Sequence, residues 1–196
     1  LRQISEIFAT LFSSLNIDNQ FIELANEVDE AIKNYAIFEH QNFGKIYALE
    51  IDGFGNALFM DDANVPNLLS IPYLGYTSYH DEIYKNTRKF SLSKSNPWFN
   101  EGKFAKGIGG PHVGENKIWP LGLIMQALTT DDDEEIFYCL KTLKNTHSGT
   151  GFIHESFDVN NPKDFSRSWF AWANTLFGEL ILHLYEKKPE ILKRKF

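Results

Sequence analysis

Apolar residues recur at helical spacing through most of this chain, and they are densest between Ser166 and Tyr185. In a helix, the apolar side chains of this stretch would cover one wide face. They are Trp169, Phe170, Ala173, Leu176, Phe177, Leu180, Ile181 and Leu184. A face of this width is typical of a well-buried helix, so the stretch predicts an all-α fold of packed helices.

Helical patterns also run through the rest of the chain. We expect further helices at 1–15, 18–36, 63–73, 79–90, 117–129 and from Thr130 onward. Thr130 is the expected N-cap of the last of these, with Asp133 three residues on as in a capping box. The acidic run 131–135 then lies at a helix N-terminus, where negative charge is favourable. Residues 45–56 alternate briefly and end in glycines, which predicts a short hairpin.

Length and composition fit one domain and exclude several classes of partner. With 196 residues, 43% of them hydrophobic, the chain can bury a core. A net charge of −7 argues against nucleic acid, and no apolar run approaches the ~20 residues of a membrane span. The single Cys139 excludes an internal disulfide and a cysteine zinc site. Leu1 opens directly into a helical pattern without an initiator Met, so we expect the native N-terminus to lie upstream.

Polar side chains gather in three loops between the predicted helices. The first loop, 59–76, carries Asp61, Asp62 and Asn64, and the second, 102–122, carries His112, Glu115 and Trp119. The third loop, 147–156, carries His154 and Glu155. Arg167, Trp169 and Trp172 follow this third loop. Loops at like ends of consecutive helix pairs meet at one mouth of a helical array. We therefore expect Asp61 or Asp62, His112 and Glu155 to line one cleft.

This combination of side chains suits a carbohydrate site. A carboxylate such as Glu155 can transfer a proton, a ring such as Trp169 can stack on a pyranose, and amides and cations can bind hydroxyls. A simpler interpretation is that the polar loops only cap helices. Two adjacent aspartates together with Asn64 exceed what one cap requires, however.

Other chemistries fit the same loops less well. His112, Glu115, His154, Glu155 and the aspartate pair could in principle hold a divalent ion, but no HExxH motif fixes them on a helix. We therefore expect no metal and no other cofactor. The sequence has no GxSxG motif, Cys139 lies within a predicted helix, and the glycine-rich loop lacks the Lys–Ser/Thr ending of a phosphate loop.

Four segments together resemble glycoside hydrolase family 125. They are MDDANVP (60–66), NTRKF with SKSNPWF (86–99), GIGGPHVGENKIWP (107–120) and GTGFIHESF with SRSWFAWANTLFGELI (149–181). The resemblance implies an exo-acting, inverting α-1,6-mannosidase built on an (α/α)6 barrel, with an α-mannoside glycan or mannobiose as its ligand. It also implies that Glu155, in the HES sequence, is the general base.

The same resemblance implies that part of the enzyme lies outside this chain. The family's general acid is an aspartate in a motif of the FRPSDD type, and no such motif occurs here. Asp62 follows Met60 and Asp61 rather than Arg-Pro-Ser, so the acid role is not assigned to it. An (α/α)6 barrel needs twelve helices, and roughly seven are predicted. We therefore expect residues 1–196 to be the C-terminal part of one catalytic domain.

Two other classes of function stay open on the sequence. A sugar epimerase or isomerase on the same barrel would use histidines such as His112 and His154 as acid and base. A half-barrel without the acid could instead be a non-catalytic binding module. Product analysis separates the first from a mannosidase, because an epimerase releases no monosaccharide from a glycoside.

Overall fold

The computed structural model of the protein describes residues 18–195 and is mainly helical. The helices in this range are α1 (Asp18–Tyr35), α2 (Glu82–Ser91), α3 (Pro120–Leu128), α4 (Asp133–Asn145), α5 (Ala171–Lys187) and α6 (Pro189–Leu192). The strands are β1 (Ile37–His40), β2 (Gly44–Tyr47), β3 (Glu50–Ile51), β4 (Ala57–Leu58), β5 (Phe99–Glu101), β6 (Lys106–Ile108), β7 (Lys117–Ile118), β8 (Ser156–Asp158) and β9 (Phe165–Ser166). No helix among these is long and apolar enough to cross a bilayer.

Helix α3 is the centre of the hydrophobic core. Its residues from Pro120 to Ala127 are all buried, because its sequence PLGLIMQAL is apolar on nearly every side. Helices α4 and α5 pack against it, α4 through Ile136 and Cys139 and α5 through Leu176 and its neighbours. Cys139 is buried in this core, and burial raises the pKa of its thiol.

A half-buried ion pair joins α2 to this core. The Arg88 guanidinium donates to the Gln126 carbonyl of α3 at 2.9 Å and lies 3.1 Å from Glu135 Oε1 of α4. The Gln126 amide also donates to Glu135 at 2.7 Å. Each charge therefore has hydrogen-bonded partners, as a partly buried charge requires.

The strands form four small antiparallel sheets. Three are hairpins, β1–β2, β3–β4 and β5–β6, and the fourth is the three-stranded sheet β7–β8–β9. In this last sheet Ile118 pairs with Phe157, and Phe157 pairs with Phe165. The sheet therefore ties the loop before α3 to the loop before α5.

Most of the predicted helices are confirmed. The stretches 18–36, 79–90 and 117–129 correspond to α1, α2 and α3, and the pattern that starts near Thr130 corresponds to α4. The helix predicted at 1–15 lies outside the described residues. The short helix α6, which begins at Pro189, was not predicted.

The helix predicted at 63–73 is wrong, because side chains replace the helical hydrogen bonds there. The segment consists of turns and bends. The Asp61 carboxylate accepts the N–H groups of Leu68 at 2.9 Å and Leu69 at 3.2 Å. The Asn67 N–H donates to the Ser70 hydroxyl, and the Ser70 N–H donates to the Asn67 side-chain oxygen. Short polar side chains that satisfy the backbone in this way favour turns over helices.

Three predicted boundaries also differ from the structure. The cap of α4 is Asp132 rather than Thr130, and residues 45–56 fall across two hairpins rather than one. Helix α5 begins at Ala171 instead of Ser166 because Ser166 pairs with β8 as part of β9. Arg167 then has a φ of 45°, which a right-handed helix cannot include.

Candidate functional site

Glu155 lies between α4 and α5, directly before β8, and one oxygen of its carboxylate is held. Oε2 accepts a hydrogen bond from Ser166 Oγ at 2.9 Å and lies 3.3 Å from Arg167 Nε. The Glu155 N–H donates to the Ser166 carbonyl at 3.2 Å. The side chain is 15% exposed. The carboxylate is therefore packed for most of its length but still reaches the surface, which is compatible with proton transfer to a bound molecule.

An uncommon backbone conformation brings Arg167 to this carboxylate. Its φ of 45° is a left-handed value that residues other than glycine rarely adopt. The guanidinium carbon lies 5.5 Å from the centroid of the Phe170 ring, and the side chain is 64% exposed. Solvent screens an ion pair at this exposure, so Arg167 adds little stability. Strained residues of this kind cluster at binding and active sites.

Aromatic rings continue from Arg167 along the same surface. The Phe170 ring meets Trp119 edge-on, with centroids 6.3 Å apart, and lies 6.4 Å from the Trp172 ring. Trp119 is almost wholly buried, whereas Trp172 and Trp169 are 44% and 57% exposed. Trp119 therefore supports this surface from below, and the two exposed rings are available to a ligand.

The loop with His112 joins the aromatic surface to Asp62. The rings of His112 and Trp119 are 6.4 Å apart. Gly110 lies beside Asp62, since a Cβ built at position 110 would be 3.4 Å from Asp62 Cβ. Burial raises the pKa of the half-buried Asp62, and the nearby charge of His112 opposes this rise.

Backbone hydrogen bonds hold these two loops together. The Gly109 N–H donates to the Trp98 carbonyl at 2.8 Å, and the Gly109 carbonyl accepts from Ala63 N–H at 2.9 Å. A side chain at Gly109 would collide with the Lys117 carbonyl at 2.1 Å, so only glycine fits there. A series of neighbouring side chains thus runs from Asp62 through His112, Trp119, Phe170 and Arg167 to Glu155.

Two of the predicted site residues face the interior instead. Asp61 has no exposed surface, and both of its carboxylate oxygens accept backbone N–H groups. His154 is 2% exposed; its Nε2 lies 2.9 Å from Thr150 Oγ1, and its ring stacks on Phe165 at 3.8 Å. Burial, aided by the charge of His147, lowers the pKa of His154 and favours the neutral ring. The structure therefore differs from the prediction that Asp61 and His154 lie exposed in the site, because packing covers both side chains.

The other two predicted site residues lie at the edges of the loops. Asn64 is half-buried, and its N–H donates to Asp62 Oδ1 at 2.7 Å. Glu115 is exposed on a tight turn between Gly114 and Asn116, both of which have positive φ. Within residues 18–195, no three histidine, cysteine or acidic side chains lie close enough together to hold a metal ion.

Sequence reasoning missed Ser156, Ser166 and Phe170 as parts of this site. Phe170 was assigned only to the apolar face of the last helix. Ser156 meets Ser166, and Ser166 meets Glu155, because β8 and β9 pair. Strands of two or three residues are too short for an alternating pattern to reveal.

Comparison with known proteins identifies relatives of this chain. Residues 1–182 match the family described as metal-independent alpha-mannosidase, GH125. The meiotically up-regulated gene 157 protein of Schizosaccharomyces pombe is 54% identical over 171 residues, which are 87% of this chain and 34% of that protein. A solved Streptococcus pneumoniae metal-independent alpha mannosidase, in a non-productive complex with alpha-1,6-mannobiose, matches with a TM-score of 0.88 and 45% identity.

The match to that solved structure covers 95% of this chain but only 44% of the other chain. The chain thus spans less than half the length of the relatives described above. Because the family match extends over residues 1–182 of 196, the chain belongs to the metal-independent alpha-mannosidases of glycoside hydrolase family 125.

Proposed function

We propose that this chain is the C-terminal part of an inverting exo-α-1,6-mannosidase and that Glu155 is its general base. The observation that carries the proposal is the Glu155 carboxylate, held by Ser166 and Arg167 at the end of an aromatic surface. The solved relative in complex with alpha-1,6-mannobiose supports the choice of linkage. The helices α1 to α6 would form part of an (α/α)6 barrel, and the rest of the barrel would come from the part of the enzyme that this chain does not span.

In this mechanism Glu155 accepts a proton from the attacking water. The water oxygen forms a bond to the anomeric carbon from the face opposite the leaving group, and the glycosidic bond breaks with its electron pair on the leaving oxygen. A carboxylic acid protonates that oxygen. An inverting enzyme leaves room for the water by placing its two carboxyl groups about 6.5–9.5 Å apart.

The acid is proposed to come from outside this chain. Asp61 is buried on backbone amides and cannot reach a leaving group, and Asp62 lies beside His112 without the family's acid motif. The chain covers 44% of the solved relative, which leaves ample sequence elsewhere for the acid.

The remaining exposed groups are proposed to bind the sugar. Trp169 and Trp172 offer ring faces for the pyranose, and Asp62, Asn64, His112 and Glu115 offer acceptors and donors for hydroxyl groups. Arg167 lies where it could bind a hydroxyl and Glu155 at the same time. Trp119 would act by supporting Phe170 and His112.

An epimerase that uses histidines is the less favoured alternative. His154 is buried against Phe165, and only its Nε2 has a hydrogen-bond partner in the described part of the chain. A ring in this position cannot exchange protons with a bound sugar. A non-catalytic binding module differs from the proposed enzyme only in lacking the acid.

Replacing Glu155 with glutamine tests the proposal. In the intact enzyme, Glu155→Gln keeps the size of the side chain but removes the basic oxygen. We expect turnover of α-1,6-mannobiose to fall by about 10²–10⁴-fold, since that is the range for general acid–base help, while mannobiose binding changes little. Mannose release and calorimetric binding measure the two effects.

A matched control separates the base from any loss of charge. Glu186 is an exposed carboxylate near the end of α5, and Glu186→Gln should leave turnover unchanged. Wild-type turnover in Glu155→Gln would overturn the assignment. Loss of mannobiose binding together with activity would indicate a substrate-binding role for Glu155 instead.

A further inference from the structure

We infer that Ser156 and Ser166 form a hydroxyl chain that fixes one oxygen of Glu155 and leaves the other to accept the proton. The inference rests on the proposed role of Glu155 as general base. Ser156 and Ser166 lie directly opposite each other where β8 pairs with β9. Their Oγ atoms are 2.7 Å apart, and Ser166 Oγ is 2.9 Å from Glu155 Oε2.

The chemistry of the groups determines which hydroxyl donates and which accepts in this pair of hydrogen bonds. An ionised carboxylate can only accept, so the single O–H of Ser166 must donate to Glu155. Ser156 must then donate its own O–H to Ser166 Oγ, because Ser166 has no second proton to offer. Hydrogen bonds that point the same way polarise one another, so both hydroxyls act on Oε2.

The two oxygens of Glu155 are consequently not equivalent. Oε2 has two partners, Ser166 Oγ and Arg167 Nε, whereas Oε1 has no hydrogen-bond or ion-pair partner within residues 18–195. A held oxygen has fewer free lone-pair directions for a water molecule than a free one. The geometry thus makes Oε1 the atom that takes the proton, and it makes both serines positioning residues.

Burial explains why serine rather than a larger residue serves at position 156. Ser156 is 1% exposed and pairs with Ser166 across β8 and β9, so water does not compete for its hydroxyl. Ser166 is half-buried, at the edge where the carboxylate reaches the surface. The two serines therefore hold the Glu155 side chain in place relative to the sheet.

The test measures kcat and KM for α-1,6-mannobiose in the intact enzyme. We expect Ser166→Ala to lower kcat about 10-fold with KM within about 2-fold, since one hydrogen bond to a charged group is lost. Ser156→Ala should lower kcat by a smaller factor. Ser166→Thr keeps the hydroxyl on a strand residue and should restore most of the activity, whereas exposed Ser168→Ala should have no effect.

A double-mutant cycle shows whether Ser166 acts through Glu155. Adding Ser166→Ala to Glu155→Gln should change the residual activity little, because the group that Ser166 positions is already lost. The inference would be overturned if Ser166→Ala lowered kcat equally in the wild-type enzyme and in Glu155→Gln, or if a folded Ser166→Ala kept wild-type kcat. In either case, an inactive Glu155→Gln would still support Glu155 as the base. If Ser166→Ala does not fold, the other two variants provide the test. Lower activity in Ser156→Ala together with retained activity in Ser166→Thr supports the hydroxyl chain. Wild-type activity in Ser156→Ala together with lost activity in Ser166→Thr refutes it.

Discussion

Asp61 and Asp62 are neighbours in sequence with opposite surroundings. Asp62 lies beside Gly110 and His112 on the proposed ligand side. Asp61 points inward and accepts the N–H groups of Leu68 and Leu69, with no cation close enough to pair with it in the described residues. Burial raises the pKa of Asp61 to about 7, although its backbone hydrogen bonds oppose the rise. Asp61 thus shapes the loop that positions Asp62.

This raised pKa predicts a pH-dependent stability. An aspartate in the unfolded chain titrates near 3.8, so between about pH 4 and pH 7 the folded state binds more protons at Asp61 than the unfolded state. The contribution of Asp61 to the free energy of unfolding therefore falls as pH rises through 7. We expect Asp61→Asn to cost about 1–3 kcal/mol at pH 5 and distinctly less at pH 8. Urea denaturation at both pH values measures the difference.

Asp52 provides the control for this measurement. Its carboxylate is exposed and bonded to Asn56, and these hydrogen bonds lower its pKa. The contribution of Asp52 to stability changes only at pH values below the ordinary pKa of an aspartate, so Asp52→Asn should have the same effect at pH 5 and pH 8. A pH-independent cost for Asp61→Asn would contradict the raised pKa.

At the scale of elements, the N-terminus of α4 shows how a local choice between polar residues is made. Asp132 Oδ1 accepts the N–H of Glu134 at 2.9 Å and that of Glu135 at 3.3 Å. Thr130 Oγ1 accepts only the N–H of Asp132, outside the helix, at 3.2 Å. The same end of α4 is paired with the C-terminal segment, because Asp133 and Glu134 meet Lys188 and Arg194.

These contacts predict which residue stabilises α4. We expect Asp132→Ala to lower the free energy of unfolding by about 1 kcal/mol, since a side-chain cap is lost. Thr130→Ala should cost less than half as much, because the hydroxyl caps no helical N–H. Urea or thermal denaturation of the two variants provides the comparison. A larger loss for Thr130→Ala would indicate that the capping box predicted from the sequence is the true cap.

At the scale of the whole molecule, the described chain carries apolar surface on its outer helices. Leu182 and Tyr185 of α5 are 65% and 70% exposed. A groove of about 290 Å³ between α4 and α5 is lined by Leu140, Phe177 and other apolar residues. Exposed apolar patches of this kind favour association. In the proposed barrel, they would be covered by the part of the enzyme that this chain does not span.

The proposed division of the catalytic groups predicts that residues 1–196 alone have little or no mannosidase activity. Without an acid for the leaving oxygen, hydrolysis loses about 10²–10⁴-fold, and uncovered apolar surface favours self-association. Circular dichroism and sedimentation would establish the folded and oligomeric states before mannose release from α-1,6-mannobiose is assayed. Turnover equal to that of the intact enzyme would place the acid within this chain, with Asp62 as its first candidate.

The sequence by itself determined the long helices and the family. Helices α1 to α5 were predicted from apolar residues at helical spacing and, for α4, from polar residues at its N-terminus, which are local signals. The motifs around Asp62, His112 and Glu155 were sufficient to recognise the mannosidase family, which the match over residues 1–182 confirms. Neither result depends on contacts between distant residues.

Only the tertiary structure decided which polar side chains turn inward and which reach a ligand. Asp61 and His154 carry the same chemistry as Asp62 and His112, and packing against distant residues buries the first pair. The contact of Ser166 with Glu155 likewise exists only because β9 folds back on β8. Burial and strand register arise from the whole chain, and no periodic pattern in strands of two or three residues records them.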